Sequence, residues 1–331
     1  MAEQNIPEQH ASPGMGGSQP PSSSVHGTHD YADDPRNEGV LIYVNGELKA
    51  RHEAMVSVFD AGFVLGDGVW EGLRIHAGHP AFLERHLDRL YEGAKAIAVD
   101  IGLTREELTA ALYDTLSAND MRDGVHVRLM VTRGTKTTPY QDPRMTTGPA
   151  TVVMIPEYKE PKPEIVEAGI RLFTVHVRRP YPDVLDPKLN SHSKLNDITA
   201  CIQAYTAGAD EALMLDPHGF VATCNSTHFF IVRRGELWTS SGDYSLGGIT
   251  RGTVLRVARE AGVAAYEKNF SLTDVYGADE AFVTGTFAGL VPVRDVDGRQ
   301  IGAGGAGPVT SRLTALYREA VAADVAARGW G

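Results

Sequence analysis

Cysteine is nearly absent from this sequence: Cys201 and Cys224 are the only two in 331 residues. That excludes a disulfide framework and a Cys-rich zinc site, and makes a reducing, cytoplasmic setting the expectation. Long apolar runs are missing too. None approaches the roughly 20 residues a membrane helix needs, and the N-terminal stretch has neither the basic nor the apolar block of a secretory signal. Positive charge is scarce, with 31 Lys and Arg against 42 Asp and Glu and a net charge of -11. A nucleic-acid binder needs clustered cations to neutralise phosphates, so neither nucleic acid nor membrane is an expected partner. What remains, 42% hydrophobic and 22% charged, is the composition of a globular chain long enough for two domains.

Residues 1–38 read as a flexible tail, because the Pro, Gly and Ser run from Pro13 to Ser24 has almost nothing to bury. His10, His26 and His29 within it read as solvated side chains rather than a metal site. Residues 39–156 are expected to form a small N-terminal domain, 157–163 a proline-rich linker, and 164–331 a larger C-terminal domain. Leu41 to Val44 reads as a strand entering an Asn45-Gly46 hairpin turn. Leu87, Leu90, Ala94 and Ile97 have helical spacing. Thr104 and Glu107 form a capping-box pattern ahead of Leu108, Leu112 and Leu116. From Val125 to Thr132 the chain alternates, with His126, Arg128 and Met130 on one face. Further strands are expected near 152–155, 170–177, 212–215, 228–232 and 280–284, and helices near 197–207, 250–261 and 309–327. Strands and helices mix without regular βαβ alternation, so the expected class is α+β.

Three signals suit an anion. Gly248-Ile249-Thr250-Arg251 opens a helical pattern, leaving free backbone N–H groups at a positive dipole end. Thr284-Gly285-Thr286 follows a strand, with small hydroxyl residues and a glycine at its tip. Arg89 lies beside the apolar stripe of an earlier helix, where an arginine commonly snorkels to the surface. Alone, each is weak.

In this order and spacing they resemble the fold-type IV pyridoxal-phosphate enzymes, the class IV aminotransferases that include branched-chain and D-amino-acid aminotransferases. The resemblance runs from about residue 40 to 315. It is carried by Phe59 to Gly72, Gly208 to Asp216, Ala278 to Thr286 and Pro292-Val293. It implies a two-domain architecture, with a smaller sandwich-like N-terminal domain and a larger C-terminal domain holding a barrel-like sheet and helices. It also implies pyridoxal 5'-phosphate, held at its phosphate by Arg89, the backbone of Ile249 and Thr250, and Thr286. The implied activity moves an amino group from an amino acid or amine to a 2-oxo acid in a ping-pong cycle, in a homodimer.

Two positions depart from the family. Counting from Asp186-Pro187 puts Asn190 where the family keeps its catalytic lysine. Lys194, where branched-chain enzymes carry a tyrosine, is the preferred substitute, and Lys188 the alternative. Thr223 stands where the family places the glutamate that keeps the cofactor's ring nitrogen protonated. A hydroxyl does not hold that proton as a carboxylate does. A lyase or racemase on the same scaffold, or a non-catalytic phosphate binder, therefore stands as an alternative. On the substrate side the resemblance points to Trp70, Arg74, His126, Arg128 and the backbone near Phe287. For Arg128, a substrate carboxylate and a structural ion pair are both open.

Overall fold

The computed structural model of the chain describes residues 27–328. Leu41–Val44 (β1) and Glu47–Ala50 (β2) form the expected hairpin, with φ of 51° at Asn45 and 95° at Gly46. Asn-Gly accepts these left-handed values at little cost. Next come Ala61–Leu65 (α1), Gly68–His76 (β3), His79–Pro80 (β4), Leu83–Ala96 (α2), Arg105–Ala118 (α3), Val125–Thr132 (β5) and Thr151–Tyr158 (β6). The six strands form one sheet in the order β2-β1-β6-β5-β3-β4. The capping box is real: Glu107 N–H donates to Thr104 Oγ1 at 3.2 Å, and Thr104 N–H to Glu107 Oε2 at 2.8 Å. Leu83, Leu87, Leu90 and Ala94 of α2 bury their stripe with Leu73, Ile75, Val127 and Leu129 of the sheet. Each fully buried leucine contributes about 1.5–3 kcal/mol.

Pro163–Ala168 (α4), Ile170–Thr174 (β7), Pro182–Leu185 (α5) and Leu195–Thr206 (α6) lead into the second sheet. Glu211–Leu215 (β8), Val221–Cys224 (β9), His228–Arg233 (β10) and Glu236–Thr239 (β11) follow. The chain ends with Ile249–Glu260 (α7), Ala265–Glu267 (β12), Leu272–Tyr276 (α8), Glu280–Gly285 (β13), Gly289–Val296 (β14), Arg299–Gln300 (β15) and Pro308–Ala326 (α9). The strand order is β12-β11-β10-β13-β14-β7-β8-β9, with β15 paired to β14. Here β10 and β13 are apolar on both faces. Phe229, Ile231, Ala281 and Val283 face one core; Phe230, Val232 and Phe282 face another, beneath Val254, Leu255 and Ala258 of α7 and Leu313 of α9. A strand covered on both sides reads as a continuous apolar run, which is why alternation was not legible there.

The mixed α+β architecture is as expected. Three local readings change. The chain is already packed at residues 27–38, where Pro35–Gly39 forms a 3-10 turn capped by Asp34; residues 1–26 of the expected tail, with His10 and His26, lie outside the described residues. Glu157 and Tyr158 of the expected linker complete β6, because both pair with β5, and Pro163 already starts α4. The strand expected at 170–177 stops at Thr174, whose N–H and hydroxyl are both taken by Asp297 at 2.6 and 2.7 Å.

Candidate active site

The antiparallel register of β3 and β5 sets Trp70 opposite Met130, Gly72 opposite Arg128 and Arg74 opposite His126. Directly opposed residues share a face. The four side chains expected from sequence, Trp70, Arg74, His126 and Arg128, therefore stand together. Gly72 makes this possible: a Cβ there would sit 3.1 Å from His126 Nε2 and 3.5 Å from the Trp70 ring. The Arg128 guanidinium stacks 4.0 Å from the Trp70 ring centre. Among the carboxylates, Glu157 acts on its charge at range. Arg74 donates to the Lys159 carbonyl and lies 3.7 Å from the exposed Glu160. Buried Trp70 Nε1 and His126 Nδ1 have no hydrogen-bond partner among the described residues. Burial, with the charges of His29, Lys159, Arg74 and Arg128, holds His126 well below its ordinary pKa, so it is neutral.

The segment before α6 runs beside the start of β3. Trp70 N–H donates to the Asn190 carbonyl at 3.0 Å, and His192 N–H to that of Gly68 at 3.0 Å. Asn190 thereby reaches the site, and its side-chain amide donates to the Trp70 carbonyl at 2.5 Å. Lys194 Nζ donates to Asn190 Oδ1 at 3.3 Å and stands 5.5 Å from the Trp70 ring centre. Burial lowers the Lys194 pKa. Asp197 opposes that shift, and Arg179, Arg128 and Arg89 reinforce it. An amine more readily neutral is a better nucleophile and base. Lys188 is different. It sits in an exposed turn, its N–H donating to Asp186 Oδ1 at 2.9 Å. The reason is the Asp186-Pro187 pair, which breaks the extended chain just before it.

Arg89 is half-buried rather than snorkelling. Its Nε and Nη2 donate to the two oxygens of Glu71 at 2.7 and 2.6 Å, and its Nη1 to the Gly247 carbonyl at 2.9 Å. That last contact sets it at the mouth of α7, whose N-cap Gly248 offers no side-chain cap to the first N–H groups, those of Ile249 and Thr250. Glu71 also accepts from His86 Nδ1 at 2.6 Å. Burial raises the Glu71 pKa, but the hydrogen bonds of Arg89 and His86 outweigh it and the net shift is down, so the carboxylate stays ionised. Arg179 joins the two ends of the site. It donates to the Tyr244 carbonyl ahead of α7 at 3.3 Å, and to Asn196 and Asp197 on α6. Thr284 lies opposite His228 across β13 and β10, and His228 Nε2 donates to the Leu246 carbonyl at 2.6 Å. Thr286 follows two residues on, in the turn after β13. Thr223 is buried in β9 and donates its hydroxyl proton to the Thr227 carbonyl at 2.8 Å. Its oxygen is left only as an acceptor.

Sequence reading did not single out Glu71, His86, Arg179 or Lys159 as candidate site residues. An acid within the otherwise apolar β3 was a usable signal for Glu71, since a buried carboxylate demands a cation. Nothing local flagged His29. It was expected to be a solvated tail residue, yet its ring stacks on Phe287 at 5.7 Å and 11°. His126 meets Phe287 edge-on at 5.5 Å.

Residues 68–296 match the family model described as Amino-transferase class IV. The chain is 42% identical over 285 residues to branched-chain-amino-acid aminotransferase-like protein 2 of Arabidopsis thaliana, covering 86% of this chain and 51% of that protein. It thus spans about half the length of the first of its curated relatives. It is 43% identical over 280 residues to a putative branched-chain-amino-acid aminotransferase of Methanocaldococcus jannaschii, covering 84% and 95% of the two chains. Among solved structures, a T.th. branched-chain amino acid aminotransferase with pyridoxamine 5'-phosphate superposes with a TM-score of 0.81 at 33% identity, over 86% of this chain and 95% of that one. By sequence and by fold, the chain belongs to the class IV aminotransferase family.

Proposed function

We propose that this chain is a pyridoxal-phosphate-dependent aminotransferase, acting on branched-chain-like amino acids or amines with a 2-oxo acid as acceptor in a ping-pong cycle. One observation carries the reading: a desolvated amine, Lys194, within reach of the charge of Arg89, which itself sits at the uncapped start of α7. The residues fit the cofactor. One end of the site is an anion cradle and the other a buried amine, and buried polar atoms such as Trp70 Nε1 and Thr284 Oγ1 lack partners among the described residues. Bound there, pyridoxal phosphate supplies an aldehyde that joins to amines and a ring that takes up the electron pair left when the substrate's α carbon loses its proton.

The chain's own groups do the rest. Arg89, the N–H groups of Ile249 and Thr250, and the Thr286 hydroxyl hold the phosphate. Glu71 fixes the Arg89 fork. Lys194 takes a proton from the substrate's α carbon and returns one, while Asn190 orients its amine. Arg128 and Arg74 supply positive charge for the substrate carboxylate, and Trp70, His126 and Phe287 shape the surface around it. Thr223, its proton committed to the Thr227 carbonyl, would offer the ring nitrogen an uncharged acceptor in place of the negative charge a glutamate would give. The relatives carry aminotransferase names, which favours transfer over the lyase, racemase and non-catalytic alternatives.

A homodimer and a cytoplasmic setting belong to the same proposal, as does a division into two domains with its boundary between the end of β6 at Tyr158 and the start of α4 at Pro163. Leu195, Ile198, Ile202 and Tyr205 expose one apolar stripe of α6, and Met55, Val58 and Phe63 are exposed as well. Ser193 Oγ, just ahead of α6, donates to the Gly66 carbonyl at 3.1 Å, three residues after Phe63. An exposed apolar stripe such as that of α6 marks a partner face. Cys201 and Cys224 are both free, and no helix among the described residues is long and apolar enough to cross a membrane.

The test is spectroscopic. Purified protein is loaded with pyridoxal phosphate, reduced with borohydride and peptide-mapped. The label is expected on Lys194; label on Lys188 reassigns the role, and no chromophore overturns the cofactor reading. Adding a branched-chain amino acid to unreduced protein should then accumulate pyridoxamine phosphate, whereas a lyase releases product without it.

A further inference from the structure

The segment Gly27–Tyr31 is tied down along its length. Asp30 N–H closes a turn on the Gly27 carbonyl at 2.9 Å. Thr28 donates its hydroxyl to buried Glu211, whose second oxygen accepts from Thr227 at 2.7 Å. Asp30 pairs with Lys162 at 2.9 Å. Tyr31 bridges to Pro161, and Lys159 Nζ lies 4.1 Å from its ring centre. These anchors come from both sheets' surroundings: Glu211 lies on β8, and Lys159 to Lys162 follow β6.

What they hold in place is His29, open to solvent on one side and crowded by the site on the other. Its ring lies nearly parallel to Phe287, which also meets His126 edge-on and has Lys159 Nζ at 5.2 Å and the Arg74 guanidinium at 5.6 Å. Burial, then the charges of Lys159 and Arg128, bring the His29 pKa down to about 4, so the ring is neutral at pH 7. His29 thus stacks on Phe287 and His126 meets the same ring at 77°, a cluster of three rings whose imidazoles are both neutral. The cations stand around them. Such a wall suits an apolar side chain, with the carboxylate left to the arginines.

We propose that residues 27–31 form the substrate-side wall of the site and that His29 is a specificity-determining residue, its ring setting how large an apolar side chain the site admits. The inference rests on the aminotransferase reading of the same site. It differs from that reading in resting on a segment ahead of the first strand, outside the span that matches the family model.

The experiment compares wild type, His29→Ala and His29→Phe, all loaded with cofactor. Removing the ring opens the wall, so His29→Ala should shift kcat/KM towards phenylalanine over valine by about tenfold, the scale at which one apolar group discriminates. It should also weaken binding of the unreactive probe 4-methylvaleric acid, read by calorimetry. His29→Phe keeps a stackable ring and should restore both. If every amino acid changes by one common factor, or none changes, or the phenylalanine variant behaves like the alanine one, the wall assignment is wrong. Should wild type bind 4-methylvaleric acid but transaminate nothing, the aminotransferase reading fails alone. The wall then stands or falls on whether His29→Ala weakens that binding.

Discussion

Replacing Glu71 by glutamine is the sharpest test of how the site is built. The carboxylate is 0% exposed and the Arg89 side chain 16% exposed, so the carboxylate has no water to turn to and the guanidinium little. Three contacts of 2.6–2.7 Å converge on it, two from Arg89 and one from His86. Glutamine is the same size but neutral. Its amide nitrogen would face an Arg89 or His86 donor where an acceptor is needed. Removing one partner of a buried pair costs about 3–5 kcal/mol, most of it the penalty on the charge left behind. Chemical denaturation of the apoprotein should show a loss of that size. Because Arg89 is the stranded charge, Arg89→Met together with Glu71→Gln should cost less than the sum of the single changes, by at least about 1 kcal/mol. Cofactor affinity should fall about tenfold or more in Glu71→Gln, since a guanidinium without its fork partner no longer points at the mouth of α7; tenfold corresponds to about 1.4 kcal/mol. A loss under about 1 kcal/mol, or strict additivity of the pair, would refute the reasoning.

Three further outcomes follow. Thr223→Glu should raise transamination, because a carboxylate holds the proton that the Thr223 hydroxyl, spent on the Thr227 carbonyl, does not; an unchanged turnover removes the ring-nitrogen argument. Leu195→Glu with Ile202→Glu, at positions 74% and 59% exposed, should leave the fold intact and yield monomers in sedimentation, and an unchanged mass argues against this face as the dimer interface. Burial pushes His228 from 6.5 down to about 3, so the unfolded chain takes up its proton first. Its contribution to stability is whole above pH 6.5 and is lost as pH falls towards 3. His228→Gln, which keeps a donor for the Leu246 carbonyl, should flatten the stability profile across that window, and an unaltered slope means that other groups dominate it.

Local chemistry was readable from the chain. The Asn-Gly turn, the Thr104 capping box and the alternation of β5 depend on neighbours within a few residues, and each was found where expected. Ordered motifs pointed to an anion end, and counting residues marked Asn190 and Thr223 as departures from the family pattern. Convergence was not readable. Glu71 and Arg89 are 18 residues apart on a strand and a helix, and nothing in their spacing says that they meet. Lys194 became distinct from Lys188 only when the strand-like passage of residues 190–192 along β3 brought one amine into a desolvated site and left the other in an exposed turn. His29 took its place through contacts that its segment makes with residues far along the chain, Lys162 and Phe287 among them. Periodicity and capping are short-range, so the sequence by itself determined the elements and the kind of chemistry. Strand register and burial are long-range, and only the tertiary structure decided which side chains share a face, which are stripped of water, and so which of them can act.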